Sequence, residues 1–385
     1  MIEVRQVEGR GDLKRFIEFP YRLYRGDPMW VPPLLVSEWE TFNPKKNPFY
    51  DHATVDLFLA LDAARVVGRV AAIEDSNYND FHGEKVALFG HFEAESAEVT
   101  RLLLERVEGW ARERGLDIVR GPSKAAANDM PGILVEGFDD PPTILMPYNG
   151  PQYLDFMTAA GYVKAQDTFA WRMHAAGGLP DRVGRIAERV KRNLGVRVRT
   201  VNFKDVKGEI AIIRDIYNRA WERNWGFVPW TEREMEHMAA ELKMVADKDV
   251  TLIAEVNGEP AAFSLMIPDI NQLLRGTGGR LFPFGLPKLL LGKPKRSRLA
   301  VMGIIPEYRG RGLDAVLYAE GFWRGTKKYS SGEFGWTLES NTAISDGMKA
   351  LGAEQYKRYR VFEKRLGEQP VQEPAGRESG DGPPQ

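Results

Sequence analysis

The stretch Val301-Met-Gly-Ile-Ile-Pro-Glu-Tyr-Arg-Gly-Arg-Gly-Leu-Asp-Ala-Val-Leu-Tyr318 constrains the fold more than any other part of the chain. A β-like apolar run meets Pro306, then a turn rich in Gly and Arg, then a helical pattern. A strand feeding a helix through so short a turn calls for a sheet with a helix packed on its face. The turn exposes backbone N–H groups at a helix N-terminus, and Arg309 and Arg311 add full charge, so it is suited to an anion. Asp314 is the discordant residue. It either repels that anion, by about 1 kcal/mol at short range, or caps the helix and points away.

Periodicity places the other elements. Residues 2–7 alternate like a strand, and 11–25 resemble a short helix broken by Pro20. Residues 27–50, rich in Pro and aromatic side chains, read as a long ordered loop. A hairpin (55–61 and 66–73), a strand (86–92), an amphipathic helix (99–114, with Gly115 as C-cap), a strand (117–120), a short helix (153–160) and a strand (166–173) follow. Residues 141–153 read as an extended interdomain strand. A linker at 174–180 and a basic helix at 181–194, with Asp181 as N-cap, precede a restart. The order then runs: a strand at 196–202, helices at 208–224 and 231–244, and a hairpin through Asn257-Gly258. A strand at 297–305, a helix at 314–327, a strand at 334–338, a helix at 343–351 and a strand at 355–363 complete it.

Both halves share one order of elements with little sequence identity, which is an architectural repeat. The expected class is therefore α/β (α+β mixed sheet), as tandem domains over 1–174 and 196–366. Residues 175–195 join them, and 367–385 form a tail whose Pro, Gly and Glu content predicts disorder.

Composition narrows the function. The 385 residues suffice for two cores, and a net charge of −1 gives no general attraction to DNA. Cysteine is absent, which excludes disulfides, thiolate metal sites and a Cys nucleophile. His52 and His91 lack metal-ligand spacing, so no metal is expected. The N-terminus has no apolar signal core and no apolar run reaches about 18 residues, so the expectation is a cytoplasmic protein with no transmembrane segment. Residues 281–298 pair an apolar stretch with Lys293, Lys295, Arg296 and Arg298. They suit a lid or a weak membrane-surface contact.

The turn at Arg309, Gly310, Arg311, Gly312 and Leu313 resembles the acyl-CoA pyrophosphate loop of the GNAT superfamily of N-acetyltransferases. Asp314 stands where that loop carries Gly or Ala. Trp336 to Gly352 resembles a later motif of the same superfamily, with Asn341 at the position of an Asn that contacts the cofactor arm. Met348 stands where many members carry a Tyr general acid. The first half matches by element order alone. At the place of its phosphate loop it reads Ala94-Glu-Ser-Ala-Glu98, acidic and without glycine, so this half is expected not to bind CoA there.

The resemblance implies an acyl-CoA-dependent N-acyltransferase, with acetyl-CoA or another acyl-CoA as co-substrate and an amine of a small molecule or peptide as acceptor. Arg309 to Leu313 would hold the pyrophosphate beside Asp314. Asn341 would steady the pantetheine arm, or cap a helix. The backbone of Met302, Gly303 and Ile304 would polarise the thioester. Glu339 or Glu222 would take the amine proton, with Tyr318 or Tyr356 as acid in place of Met348. Trp225 and Trp230 suit an acceptor pocket. So does the loop with Ser123, Lys124, Asn128 and Asp129 at a strand end. Two alternatives stand beside this reading. Seven Arg and Lys between Arg182 and Arg199 could contact RNA phosphates in an aminoacyl-tRNA-dependent transferase, although RNA is the less expected partner. Asp314 and Met348 together would suit an inactive ligand sensor.

Overall fold

The computed structural model describes residues 1–124, 127–243, 245–283 and 285–367. The expected disordered tail lies outside these residues, Gly367 excepted. The first half comprises β1 (Ile2–Gln6), α1 (Gly9–Leu23), α2 (Leu35–Thr41), β2 (Ala53–Asp62), β3 (Arg65–Asp75), α3 (Ser76–His82), β4 (Val86–Ala94), α4 (Ala97–Glu113), β5 (Ile118–Ser123), β6 (Ile133–Glu136), α5 (Tyr153–Ala159) and β7 (Val163–His174). The second comprises α6 (Asp181–Leu194), β8 (Val196–Thr200), α7 (Val206–Trp221), α8 (Glu232–Lys243), β9 (Thr251–Val256), β10 (Glu259–Pro268), α9 (Asn271–Leu274), α10 (Gly285–Leu291), β11 (Arg296–Ile304), α11 (Leu313–Gly325), β12 (Ser331–Leu338), α12 (Thr342–Ala350) and β13 (Glu354–Arg365).

All the strands join one mixed sheet in the order β1-β2-β3-β4-β5-β13-β7-β12-β11-β10-β9-β8, with β6 beside β13. That order is symmetric about the β13–β7 pair. Only β4–β5 and β11–β12 run parallel, and they occupy equivalent places in the two halves. Each half ends in a strand that pairs with the other half, β7 on β12 and β13 on β5.

Two helix faces make the main cores. On α4, Val99, Leu103, Leu104 and Val107 are at most 2% exposed and cover β2 to β4. Each such side chain contributes about 1.5–3 kcal/mol of burial. α4 comes so near that a Cβ at Gly68 would stand 2.5 Å from Val99 Cγ1. In the second half α11 and α6 cover β9 to β11 through Leu313, Val316, Leu317, Ala187 and Val190.

Four local expectations change. Pro20 does not break α1, which runs through it to Leu23. A proline at 20 leaves the Phe16 carbonyl without its helical donor; Arg69 Nη1 donates to that carbonyl at 2.9 Å instead. The segment 27–50 is not all loop, since it holds α2 and a 3-10 turn at Pro48–Asp51. Residues 141–153 form no ladder among the described residues, because four prolines lack the N–H groups it would need. They cross between the halves through single bonds, Ile144 N–H to Asp269 Oδ1 (2.9 Å) and Arg298 Nη1 to the Ile144 carbonyl (2.7 Å). Asp181 lies in the first turn of α6, and Pro180 is the N-cap.

Candidate functional site

β11 and β12 pair only from Arg296↔Ser331 to Leu299↔Phe334. Beyond that point β11 stays with β10, while Thr337 and Leu338 follow β7. A register shift on each side, at Leu265/Met266 and at Phe334/Thr337, drives the strands apart. The backbone edge of 300–304 that faces β12 is therefore free of a ladder, and its first part, Ala300 to Met302, lines a cleft of about 180 Å3 that Gly303 and Ile304 do not line. Met302, Tyr318, Met348, Trp221, Trp225 and Asn128 line it. Gly303 is needed on that edge, since a Cβ would stand 2.5 Å from the Trp221 ring. Tyr217 stacks on Trp221 at 4.4 Å, which fixes that ring. Asn128 holds the facing loop in place: its Nδ2 donates to the Val228 carbonyl at 2.7 Å, and its Oδ1 accepts from Val228 N–H at 3.1 Å.

The Gly- and Arg-rich turn leads from β11 into α11. Gly310 has φ +68° and open space where a Cβ would stand, so its backbone is accessible to an anion. Arg311 is exposed and lies 5.6 Å over the Tyr308 ring. Arg309 is exposed too, but its Nη2 donates to the Ala220 carbonyl at the end of α7. Gly312, at φ +84°, is the N-cap of α11. A Cβ there would stand 2.9 Å from Val190 Cγ2, so this glycine serves the approach of α6. Leu313 is core. Asp314 stands exposed in the first turn of α11, one helical turn before Tyr318, whose hydroxyl feels its charge. The arginines Arg182, Arg185, Arg189 and Arg192 on α6 are exposed and line a groove with Trp323, late in α11.

The other candidates separate. Tyr318 is in the cleft, where burial, then Asp314, push its phenol far up, so it stays protonated. Tyr356 donates instead to Glu333, away from the cleft. Asn341 lines the cleft and also caps α12, its Oδ1 accepting from Ile344 N–H at 3.3 Å. Glu339 does not line the cleft and pairs with Lys164 at 2.5 Å. Glu222 is exposed in an open groove that adjoins the cleft through Trp225 and Asn341. Trp230 packs behind on Tyr217. Ser123, Lys124 and Asp129 line a different cavity, in the first half. His91 lies there with them, a residue for which the sequence reading considered only a metal. The signal was Gly90 inside a strand pattern, which marks a bulge.

No protein-family model matches the chain. Two curated proteins resemble it along nearly their whole lengths. A bacterial ceramide synthase of Caulobacter vibrioides is 36% identical over 385 residues, covering 95% of this chain and 98% of that protein. Protein YghO of Escherichia coli is 34% identical over 376 residues, covering 94% and 95%. Among solved structures, a tandem GNAT protein from the clavulanic acid biosynthesis pathway superposes with a TM-score of 0.56 at 14% identity, covering 96% of this chain and all of that one. A GCN5-related N-acetyltransferase from Sphaerobacter thermophilus gives 0.50 at 13% identity, covering 95% and 96%. The two structures share the fold, and the two curated proteins share the sequence from end to end. The chain has the tandem GNAT fold and belongs to the same family as the Caulobacter ceramide synthase and YghO.

Proposed function

We propose that this protein is an acyl-CoA-dependent N-acyltransferase whose acceptor is a long-chain amino alcohol, the type of amine that a ceramide synthase acylates. The observation that carries the proposal is the split between β11 and β12 beside an open Gly310 turn at the N-terminus of α11. A free strand edge can bind the amides of an extended pantetheine arm as an added strand would. The turn and Arg311 offer donors to a pyrophosphate. Tyr318, held protonated in the cleft, would give its proton to a leaving thiolate. Asp314 stands exposed, so it leaves the turn open.

The Caulobacter relative favours the lipid acceptor over the small or peptide amine, and a surface feature agrees. Phe282, Leu290 and Leu291 are 71%, 73% and 80% exposed around α10, beside exposed Lys288, Lys293 and Lys295. Such a face suits an anionic bilayer surface. No helix among the described residues is long and apolar enough to cross a membrane. The test is thiol release from acetyl-, octanoyl- and palmitoyl-CoA, with sphinganine in mixed micelles or a soluble amine panel. Release that requires sphinganine supports the proposal. Release only with soluble amines overturns the lipid acceptor, and no release with any pair overturns the acyl-transfer reading.

A further inference from the structure

The parallel pair β4–β5 is the first half's counterpart of β11–β12, and it too opens at its end. Two register shifts occur there. His91 and Phe92 together oppose one residue of β3, and Gly121 and Pro122 together oppose one residue of β4. His91 takes φ +45°, a left-handed conformation rare for a residue with a Cβ. The bulge aims its imidazole into a chamber of about 260 Å3.

That chamber gathers Glu38, Arg69, Glu93, Lys124 and Asp129 around His91, within a collar that includes Tyr21, Trp30 and Tyr148. Three carboxyls face two cations, so the cluster has room for one more positive charge. Glu93 accepts from Tyr24 and Tyr153 hydroxyls at 2.5 and 3.1 Å, which fixes its position. The chamber adjoins the cleft at one turn, where Asn128 lines the cleft and Asp129, the next residue, lines the chamber. Asn271 and Leu145 also line the chamber, and the Leu35 N–H donates to the Gly279 carbonyl at 3.0 Å. The segment bearing the exposed apolar face of α10 therefore starts at the chamber.

We propose that this chamber receives the amine head of the acceptor and that His91 is the general base that deprotonates it. The proposal rests on the acyl-transfer reading. Neutral imidazole takes one proton from the ammonium, R–NH3+. The freed lone pair attacks the thioester carbonyl carbon where chamber and cleft adjoin, beside Asn128 and Asp129. The C–N bond forms, the C–S bond breaks, and the thiolate leaves with the Tyr318 proton. The second nitrogen proton restores Tyr318, and His91 returns its own to solvent. The products are an amide, CoA thiol and one proton. Burial, with help from Arg69 and Lys124, holds His91 well below the usual imidazole range, so it is neutral at pH 7. Burial raises Glu93 against the pull of Arg69 and the two tyrosines, and raises Asp129 against Lys124 and Arg298. Both carboxyls therefore gain when a cation enters.

The test uses His91→Asn, since Asn tolerates a left-handed φ, and His91→Gln as a second variant. Far-UV circular dichroism and palmitoyl-CoA affinity check that each variant is intact. Thiol release with sphinganine should fall at least 100-fold in an intact variant. The residual rate should rise with pH where the wild type is flat. An intact variant within threefold of wild type, with the same pH profile, would overturn the proposal. Calorimetric binding of sphinganine micelles separates this failure from that of the acyl-transfer reading. If the wild type releases no thiol, that reading fails. The chamber then stands if Asp129→Asn weakens amine binding tenfold, and falls if binding is unchanged.

Discussion

Arg69 shows how one side chain serves two structures at once. Its Nη1 replaces the hydrogen bond that Pro20 removes from α1, and its guanidinium lies 5.0 Å over the Phe16 ring. It also supplies charge to the chamber beside His91 and Glu93. A proline inside a helix costs about 3 kcal/mol, and a charged hydrogen bond returns about 1.5–3 of that. Arg69→Met keeps the bulk and loses the bond, so the denaturant midpoint should drop by an amount equal to about 2 kcal/mol. An unchanged midpoint would show that α1 needs no replacement donor. Asp314 is the second test at this scale. If its charge opposes the pyrophosphate, Asp314→Asn should tighten acyl-CoA about fivefold, the equivalent of about 1 kcal/mol. The effect should shrink at high salt, and a calorimetric Kd that does not move would place the charge outside the phosphate site.

At the scale of elements, the strand, turn and helix from β11 to α11 were legible in sequence because their signals are local. Pro306, two glycines and a helical apolar pattern lie within 18 residues. The hairpin at Asn257-Gly258 was legible for the same reason, with φ +53° and +89° as its turn type requires. What each glycine is for was not legible. Gly310 faces open space, but Gly312 faces α6, over a hundred residues earlier in the chain. Gly312→Ala should therefore destabilise by about 1–2 kcal/mol, through both its φ and the contact with Val190. Gly310→Ala has only the φ cost to meet and should instead weaken acyl-CoA. Parallel thermal melts and binding titrations would separate the two, and equal losses in both assays would contradict the division. Of the chamber, only the loop after β5 was legible in sequence; its other groups come from α2, β3 and β4, and only the sheet brings them together. α3 escaped because seven residues carry too little periodicity. Its cap, Asp75 accepting from Tyr78 N–H at 3.2 Å, was the available signal.

Across the whole molecule, the halves are joined by exchanged strands and by a few polar clasps. β13 completes the first half beside β5, and Arg120 on β5 pairs with Glu363 on β13 at 2.8 Å. Neither half can unfold without removing a strand from the other, so urea should produce one transition by every probe. One such clasp is His52, held between Asp75 of the first half and Glu234 on α8, each at 3.0 Å. Burial alone would lower its pKa, but the two carboxylates override this and raise it to about 9. In the unfolded chain a histidine titrates near 6.5. The folded state therefore binds the proton more tightly, and the gain is complete below about pH 6.5. It fades as pH rises toward 9 and is absent above it. Glu234, lowered by His52 and Thr231 despite burial, stays ionised through that window, so the loss falls on the imidazole. Wild-type stability measured from pH 6 to pH 10 should decline relative to His52→Gln, whose neutral amide cannot gain or lose the proton. Parallel curves would show that the clasp is uncharged. A steeper decline in wild type would show that protonated His52 holds α8 and its Trp-bearing loop against the first half.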